Sequence, residues 1–178
     1  DPDSITSILL THEHGDHING LDVFLKDRRI PVFTTALTRE AFKHRLQRCR
    51  PDWHLFNPGQ SFQIENFSIQ TFPVQHDAAE PVGYRFEAAG HIATFISDLG
   101  FANEAVKSAL KHANLVYLES NYDDEMLAQD TRRPYSTIQR ISSRHGHLSN
   151  KQAADLLEEV ACQRLQSLVI GHLSSDCN

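Results

Sequence analysis

Residues 11–20 read THEHGDHING, and the six positions from His12 to His17 hold three histidines, a glutamate and an aspartate. Just upstream, ITSILLT (residues 5–11) is a short apolar run with β-branched residues, which predicts a buried strand ending where the histidines begin. Side chains alternate along an extended segment, so His12 and His14 can point to one side and share a metal ion. Gly15 then permits a sharp turn, after which Asp16 and His17, at the start of a helix, can face a second ion close by. Imidazole nitrogen together with carboxylate oxygen suits zinc, manganese or iron, whereas magnesium and calcium favour mostly oxygen ligands. One histidine read alone is a surface or satisfied core residue. The whole HxHxDH string asks for a metal.

The rest of the composition sets the frame for that string. A chain of 178 residues, 40% of them hydrophobic, is read as one globular domain over residues 1–178. A net charge of −6 argues against a general nucleic-acid coat protein, so any phosphate-binding surface has to be local. Cys49, Cys162 and Cys177 are odd in number, widely spaced and in no CxxC pair; they are read as free thiols, neither a disulfide framework nor a cysteine zinc site. No run approaches the roughly 20 apolar residues of a membrane helix, and DPDSITSILL lacks the basic start and apolar centre of a signal peptide. The expectation is a soluble, cytoplasmic protein with no membrane partner.

Along the chain, short strands alternate with helices, and no repeat or linker interrupts them. Residues 16–26 look helical, PVFTT is a strand candidate and ALTREAFKHRLQRC a helix, while residues 60–97 are β-rich, with a hairpin turning at Ala89, Gly90 and His91. A helix near 103–112, a strand LVYLE (115–119), a helix near 150–163 and a strand SLVIG (167–171) follow. Ser149 and Gln152 fit a capping box for the last of these helices. Strands in this mixed α/β chain keep ending in histidine or carboxylate.

HxHxDH at the end of a core strand resembles the signature of the metallo-β-lactamase fold hydrolases. The later matches come in that family's order: His76 in PVQHDAAEPVGYRF, Asp98 in TFISDLG and His172 in VIGHLS. The resemblance implies an αββα sandwich with two divalent metal ions, zinc or manganese, with iron also possible. His12, His14 and His76 would bind one ion, Asp16, His17 and His172 the other, and Asp98 would bridge them. Within the superfamily the chain looks most like the YycJ (WalJ) branch, associated with 5'-to-3' exonuclease activity on DNA, through HDAAEPVGYRFE, SDLGF, YLESNYD and HGHLSNKQAADLL. In that likeness Glu119 and His147 match the extra carboxylate and histidine of the family's nucleases. Only eleven residues precede the motif and six follow His172, so the resemblance also implies a chain truncated at both ends.

Two metals suit phosphodiester hydrolysis: ions roughly 3.5–4 Å apart hold a hydroxide at neutral pH and neutralise charge on the attacking and departing oxygens. The expectation is therefore a metal-bridging hydroxide oriented by Asp16, with His147, supported by Glu119, serving the leaving side. A nuclease also has to hold a polyanion, and two basic stretches are candidates for that surface. REAFKHRLQRCR (39–50) has five Lys or Arg against one Glu, and reads equally as a solvated helix face. RRPYSTIQRISSR (132–144) has Arg132, Arg133, Arg140 and Arg144 and no acid, and is the preferred candidate for following a DNA backbone because it leads into His147; Tyr135 and Trp53, beside the two stretches, are candidates for stacking a base. Two alternatives stay open: a hydrolase of a thioester, lactone or β-lactam, and a catalytically silent metal- or nucleic-acid-binding module. Oligomeric state is not legible.

Overall fold

The computed structural model describes residues 1–178 and divides into two compact units. Unit 1 comprises residues 1–60 and 78–82. Its parallel sheet orders β1 (Ile8–Leu9), β2 (Pro31–Thr35) and β3 (Asp52–Phe56) side by side. The expected strand over residues 5–11 thus contracts to two residues, although the Leu10 N–H still donates to the Phe33 carbonyl at 3.0 Å. The expected helix over 16–26 is two short ones, α1 (Gly15–Ile18) and α2 (Leu21–Phe24), broken at Asn19 and Gly20, both poor helix formers. Together they bury Ile18, Leu21 and Leu25 against Leu10, Val32 and Phe42.

The next helix, α3 (Ala36–Phe42), is capped by Thr35, whose hydroxyl accepts from the Thr38 N–H, and stops well short of Cys49. A 3-10 turn over Lys43–Arg45 follows, and then the Asp22 carboxylate accepts from the backbone N–H groups of Arg48 and Cys49 at 2.8 and 3.2 Å. Those bonds hold residues 46–50 in an open loop against α2. Strand β3 went unread in the sequence because DWHLF is short and buries only Phe56 fully. Its Trp53 meets the Phe42 ring edge-on at 5.9 Å and packs, partly buried, against the unit 1 core.

Unit 2 comprises residues 61–77 and 83–178. Its six-stranded sheet runs in order β4 (Ser61–Ile64), β5 (Phe67–Pro73), β6 (Val82–Ala88), β7 (His91–Ile96), β8 (Leu115–Glu119) and β9 (Ser167–Gly171). The β6–β7 hairpin turns at Ala89 and Gly90, as expected, and β7, β8 and β9 run parallel. In register, Ile96 lies beside Leu118 and Leu118 beside Ile170. The three strands therefore deliver the residues that follow them to one end of the sheet.

Two helices, α4 (Glu104–Leu110) and α7 (Asn150–Val160), close one core with Val106, Ala109, Leu110, Ala153, Leu156 and Val160 packed against Ile96, Val116 and Leu118. The capping box at Ser149 and Gln152 is present in both directions. Two helices that lacked a clear apolar period, α5 (Asp124–Ala128) and α6 (Tyr135–Ile141), form a satellite cluster in which Tyr122, Leu127 and Cys177 meet Ile138 and Ile141. No helix is long and apolar enough to cross a membrane. All three cysteines are free, as read from the sequence, and His44, His54, His91, His112 and His145 are exposed.

The satellite cluster is pinned electrostatically. Asp130 accepts from the Arg132 N–H at 2.8 Å and from the Arg133 guanidinium, which also reaches Asp176 at 2.8 Å. The Arg132 N–H, followed by Arg133, holds the Asp130 carboxyl down to about 2. An aspartate unfolds to an ordinary value of about 3.9, so this stabilisation is present above pH 4 and is lost as pH falls through about 2. Amide exchange at residues 130–133 and 174–178 is expected to accelerate across that window, and Asp130→Asn should already show the fast rates at pH 5. Ser149→Ala should cost about 1 kcal/mol by loss of the cap, lowering the melting temperature by about 2–4 °C.

Candidate metal centre

Each unit gathers one group of the anticipated residues. In unit 1 the His12 ring lies 4.6 Å from that of His14 and 4.1 Å from that of His17, centroid to centroid. The Thr11 hydroxyl stands 3.0 Å from His12 Nδ1 and 3.2 Å from His17 Nδ1, where it can donate to one ring and accept from the other. Both imidazoles are thereby turned by their Nδ1 atoms, which leaves the Nε2 atoms to face a ligand. Asp16 is exposed, with Oδ2 3.5 Å from His17 Nε2. Glu13, the one acid of the string outside the expected ligand set, accepts from the Ala79 N–H at 2.7 Å, while the Thr11 carbonyl accepts from the Val82 N–H at 3.1 Å. These two bonds tie residues 78–82 to the histidine segment.

In unit 2 the centre of the network is Glu119, at the end of β8 and fully buried at 0% exposure. Its Oε2 accepts from His147 Nδ1 at 2.8 Å and from His172 Nδ1 at 2.7 Å. Its Oε1 accepts from the backbone N–H groups of Leu99 at 3.1 Å and Leu148 at 2.8 Å. Burial is the largest influence on this carboxyl and pushes it up. The bonds from His147, His172 and the Leu148 N–H outweigh it, and the group sits below the ordinary glutamate value. Glu119 is therefore an anion that touches no solvent and acts through two histidines.

Asp98 and His172 follow β7 and β9, and both hold left-handed backbone, each at φ 54°. Neither is a glycine, and such conformations persist only where surrounding structure holds them; they cluster at ligand clamps and active sites. Here the Ser97 hydroxyl donates to Asp98 Oδ2 at 2.6 Å, and Asn121 Nδ2 donates to the His172 carbonyl at 2.7 Å. His172 Nε2 ends 3.3 Å from Asp98 Oδ1. The 98–101 and 144–147 loops approach backbone to backbone: a Cβ on Gly100 would meet Gly146 N at 2.5 Å, and one on Gly146 would meet the Ile141 carbonyl at 2.1 Å. Only glycine permits that approach, which sets His147 beside the cluster.

His76 supplies the test of whether a cation fits. Its Nδ1 lies 2.9 Å from the Gly146 carbonyl, which can only accept, so Nδ1 carries the proton and Nε2 a lone pair. Burial, the dominant influence, also holds this ring towards the neutral form. The bare Nε2 faces Asp77 Oδ1 at 3.3 Å and Asp98 Oδ1 at 3.6 Å. A lone pair aimed at two carboxylates is repulsive with nothing between them and attractive around a cation. Asp98, Glu119, His147 and His172 also bring ligand atoms within 4.8 Å of one another. The donor set, imidazole nitrogen and carboxylate oxygen oriented by a second layer of hydrogen bonds, fits zinc or manganese.

The four arginines anticipated as substrate contacts are mostly engaged within the fold. Arg132 lies 3.3 Å from Asp176, Arg133 pairs with Asp130 and Asp176, and Arg140 donates to Asp77 at 2.7 Å. The Arg144 guanidinium lies over the Phe101 ring, 3.8 Å from its centroid. Sequence reasoning missed Thr11, Glu13, Ser97 and Gly146. No spacing rule marks the Gly146 carbonyl as the partner of His76, 70 residues away, or singles out the hydroxyls beside His12 and Asp98.

A family model described as a beta-lactamase superfamily domain matches residues 1–172. The chain is 35% identical over 98% of its length to a Bacillus anthracis protein named exodeoxyribonuclease YycJ, and 29% identical over 99% to the exodeoxyribonuclease WalJ of Streptococcus pneumoniae. It spans 66% of the length of each. Among solved structures, the Bacillus subtilis metallo-beta-lactamase fold protein YhfI aligns with a TM-score of 0.73 at 20% identity, over 97% of this chain and 66% of that one. That likeness shows the mixed α/β fold expected from the HxHxDH string. With the family match covering nearly every residue, the chain belongs to the beta-lactamase superfamily.

Proposed function

We propose that this chain carries the chemistry of a dinuclear metal-dependent phosphodiesterase, specifically a 5'-to-3' exonuclease acting on DNA in the cytoplasm. The observation that carries the reading is His147 held by the buried Glu119. A phosphodiester presents charged oxygens and a departing alkoxide, both of which a protonated imidazole serves; hydrolysis of a thioester, lactone or β-lactam has no need of it. The two similar proteins named exodeoxyribonucleases support the choice of substrate.

In this reading residues 1–178 work as one hydrolase domain. His12, His14 and His76 would hold one ion and Asp16, His17 and His172 the other, with Asp98 shared. Zinc, manganese or iron suits these donors. When bound, the pair of ions would supply Lewis acidity and lower the pKa of a held water towards neutrality. Asp16, exposed at the start of α1, accepts a hydrogen bond from the attacking water and aims it at phosphorus. His147 Nε2 gives its proton to the departing oxygen, and Glu119 Oε2 stabilises the imidazolium through Nδ1. Glu119 is thus a positioning residue for His147 and for His172. Of the four arginines, Arg144 has no carboxylate partner and is the one available to phosphate, while Arg132, Arg133 and Arg140 are paired with Asp130, Asp176 and Asp77.

Glu119→Gln should lower zinc affinity about 10–100-fold in a titration against a competing chelator, the range for removing an outer partner of a histidine ligand. Unchanged affinity would remove Glu119 from the orientation of His172. With 5'-phosphorylated single-stranded DNA and RNA and manganese- or zinc-loaded protein, the parent should degrade DNA, and Asp98→Ala should lose more than about 100-fold in rate, beyond the outer-partner range. Equal cleavage by both proteins would overturn the bridging role. Cleavage of a thioester with neither nucleic acid cut would overturn the substrate.

A further inference from the structure

Eight of the chain's 17 Lys and Arg lie between residues 26 and 50, against two acids, Asp27 and Glu40, so this segment carries +6 in a chain of net charge −6. The fold gathers much of that charge around one hollow of unit 1, about 570 Å3 in volume, lined by Lys26, Arg28, Arg29, Arg48 and Arg50. Asp27 and Asp52 are the acids on its wall. A second hollow of about 320 Å3 is lined by Arg45, Arg48, Asp22, Ile18 and Asn19. Arg48 lines both, so cationic side chains lead from the C-terminal end of α1, the helix carrying Asp16 and His17, out to Arg29 and Arg50.

The charges here differ in kind from those at 132–144. Arg132, Arg133 and Arg140 are neutralised by carboxylates. The side chains of Lys26, Arg29, Arg45 and Arg48 form no ion pair or hydrogen bond. Only the backbone N–H of Arg48 is engaged, by Asp22, which fixes the loop and leaves the guanidinium outward. Arg28 is shared with Asp3 at 3.1 Å and with the Phe24 carbonyl, and Arg50 donates to the Cys49 carbonyl at 2.8 Å. Clustering unpaired guanidiniums costs free energy through mutual repulsion, and a bound polyanion reverses its sign. Arginine forks match phosphate oxygens two at a time, and single-strand binding grooves are built of such cations.

We infer that the hollow between residues 25–29 and 48–52 of unit 1 is a binding site for the phosphodiester backbone of a single nucleic-acid strand, with Arg29 and Arg48 as its principal contacts. Only the identity of the ligand rests on the phosphodiesterase reading; the site itself rests on the unpaired charge. It holds the strand away from the reacting phosphate and contributes affinity without base preference.

The test uses the metal-free chain and a fluorescein-labelled oligodeoxythymidylate of about 30 nucleotides, followed by anisotropy across a salt series. Arg29→Glu with Arg48→Glu should weaken binding at least about 10-fold and flatten the slope of log K against log salt by about 1.4, two phosphate contacts on a single strand. Arg29→Lys with Arg48→Lys should retain most of the parent affinity, and Lys111→Glu with Arg164→Glu, an equal change of net charge in unit 2, should leave it within about 3-fold. With metal-loaded protein, the first pair of reversals should raise KM for the long strand and leave hydrolysis of bis(p-nitrophenyl) phosphate unchanged. Parent-like strand binding by that variant, or an equal loss in the unit 2 control, overturns the inference. Inorganic phosphate displacing the strand at the concentration of one tight site overturns it as well, in favour of a small-anion pocket. Should strand binding depend on Arg29 and Arg48 while no nucleic acid is cut, the site stands and the nuclease reading falls. Should DNA be cut with KM indifferent to both arginines, the reverse holds.

Discussion

A single buried carboxylate, Glu119, sets the geometry on which the unit 2 cluster depends. Taking an ion out of water costs several kcal/mol, and an anion at 0% exposure is tolerated only when its lone pairs are filled. Here two imidazole N–H groups and two backbone N–H groups fill them. The four donors come from the loop after β7, the segment leading into α7 and the residue after β9. Satisfying one charge therefore joins three loops that are distant in the chain, and each partner is placed because Glu119 cannot be left unpaired. Removal of one donor would leave a buried charge exposed to the full desolvation penalty, so the network holds together as a unit.

The sequence was most informative where chemistry is contiguous. THEHGDHING carries its ligand character in adjacent letters, and the strand-end positions of His76, Asp98 and His172 follow from recognising apolar β-branched runs that stop at a coordinating residue. Elements failed to be legible where tertiary bonds override local pattern. The helix expected to run to Cys49 ends at Phe42 because Asp22, more than 20 residues earlier, captures the N–H groups of Arg48 and Cys49. Helices α5 and α6 bury so narrow a stripe against Tyr122 and Cys177 that no periodicity announces them. Trp53 looked like a free aromatic beside a basic run; only the position of Phe42 shows that one side of it packs on the core.

Charge shows the same division between what letters count and what contacts decide. Residues 132–144 contain four arginines and no acid, which favoured them as the phosphate surface. Their acids are supplied from elsewhere, by Asp77, Asp130 and Asp176, and most of the positive potential is cancelled. The 39–50 stretch looked no better than a solvated helix face, yet residues 26–29 fold beside its end and bring unpaired cations to the same hollow. A local charge count is reliable only when the partners are local too.

Strain and register together explain how one sheet end becomes a ligand cluster. Strands β7, β8 and β9 are parallel neighbours, and Asp98, Glu119 and His172 stand at or just beyond their ends. Glu119 is the last residue of the middle strand and keeps extended geometry, while Asp98 and His172 on either side adopt φ 54°. Had both continued as strand, their side chains would follow the pleat, alternating between the faces of the sheet. The left-handed turn breaks the alternation and brings His172 Nε2 within 3.3 Å of Asp98 Oδ1. Each such residue costs on the order of 1–3 kcal/mol. Ligands in α/β folds gather at the carboxyl ends of parallel strands because loops there are free to converge, and here two strained residues and one buried anion make them do so.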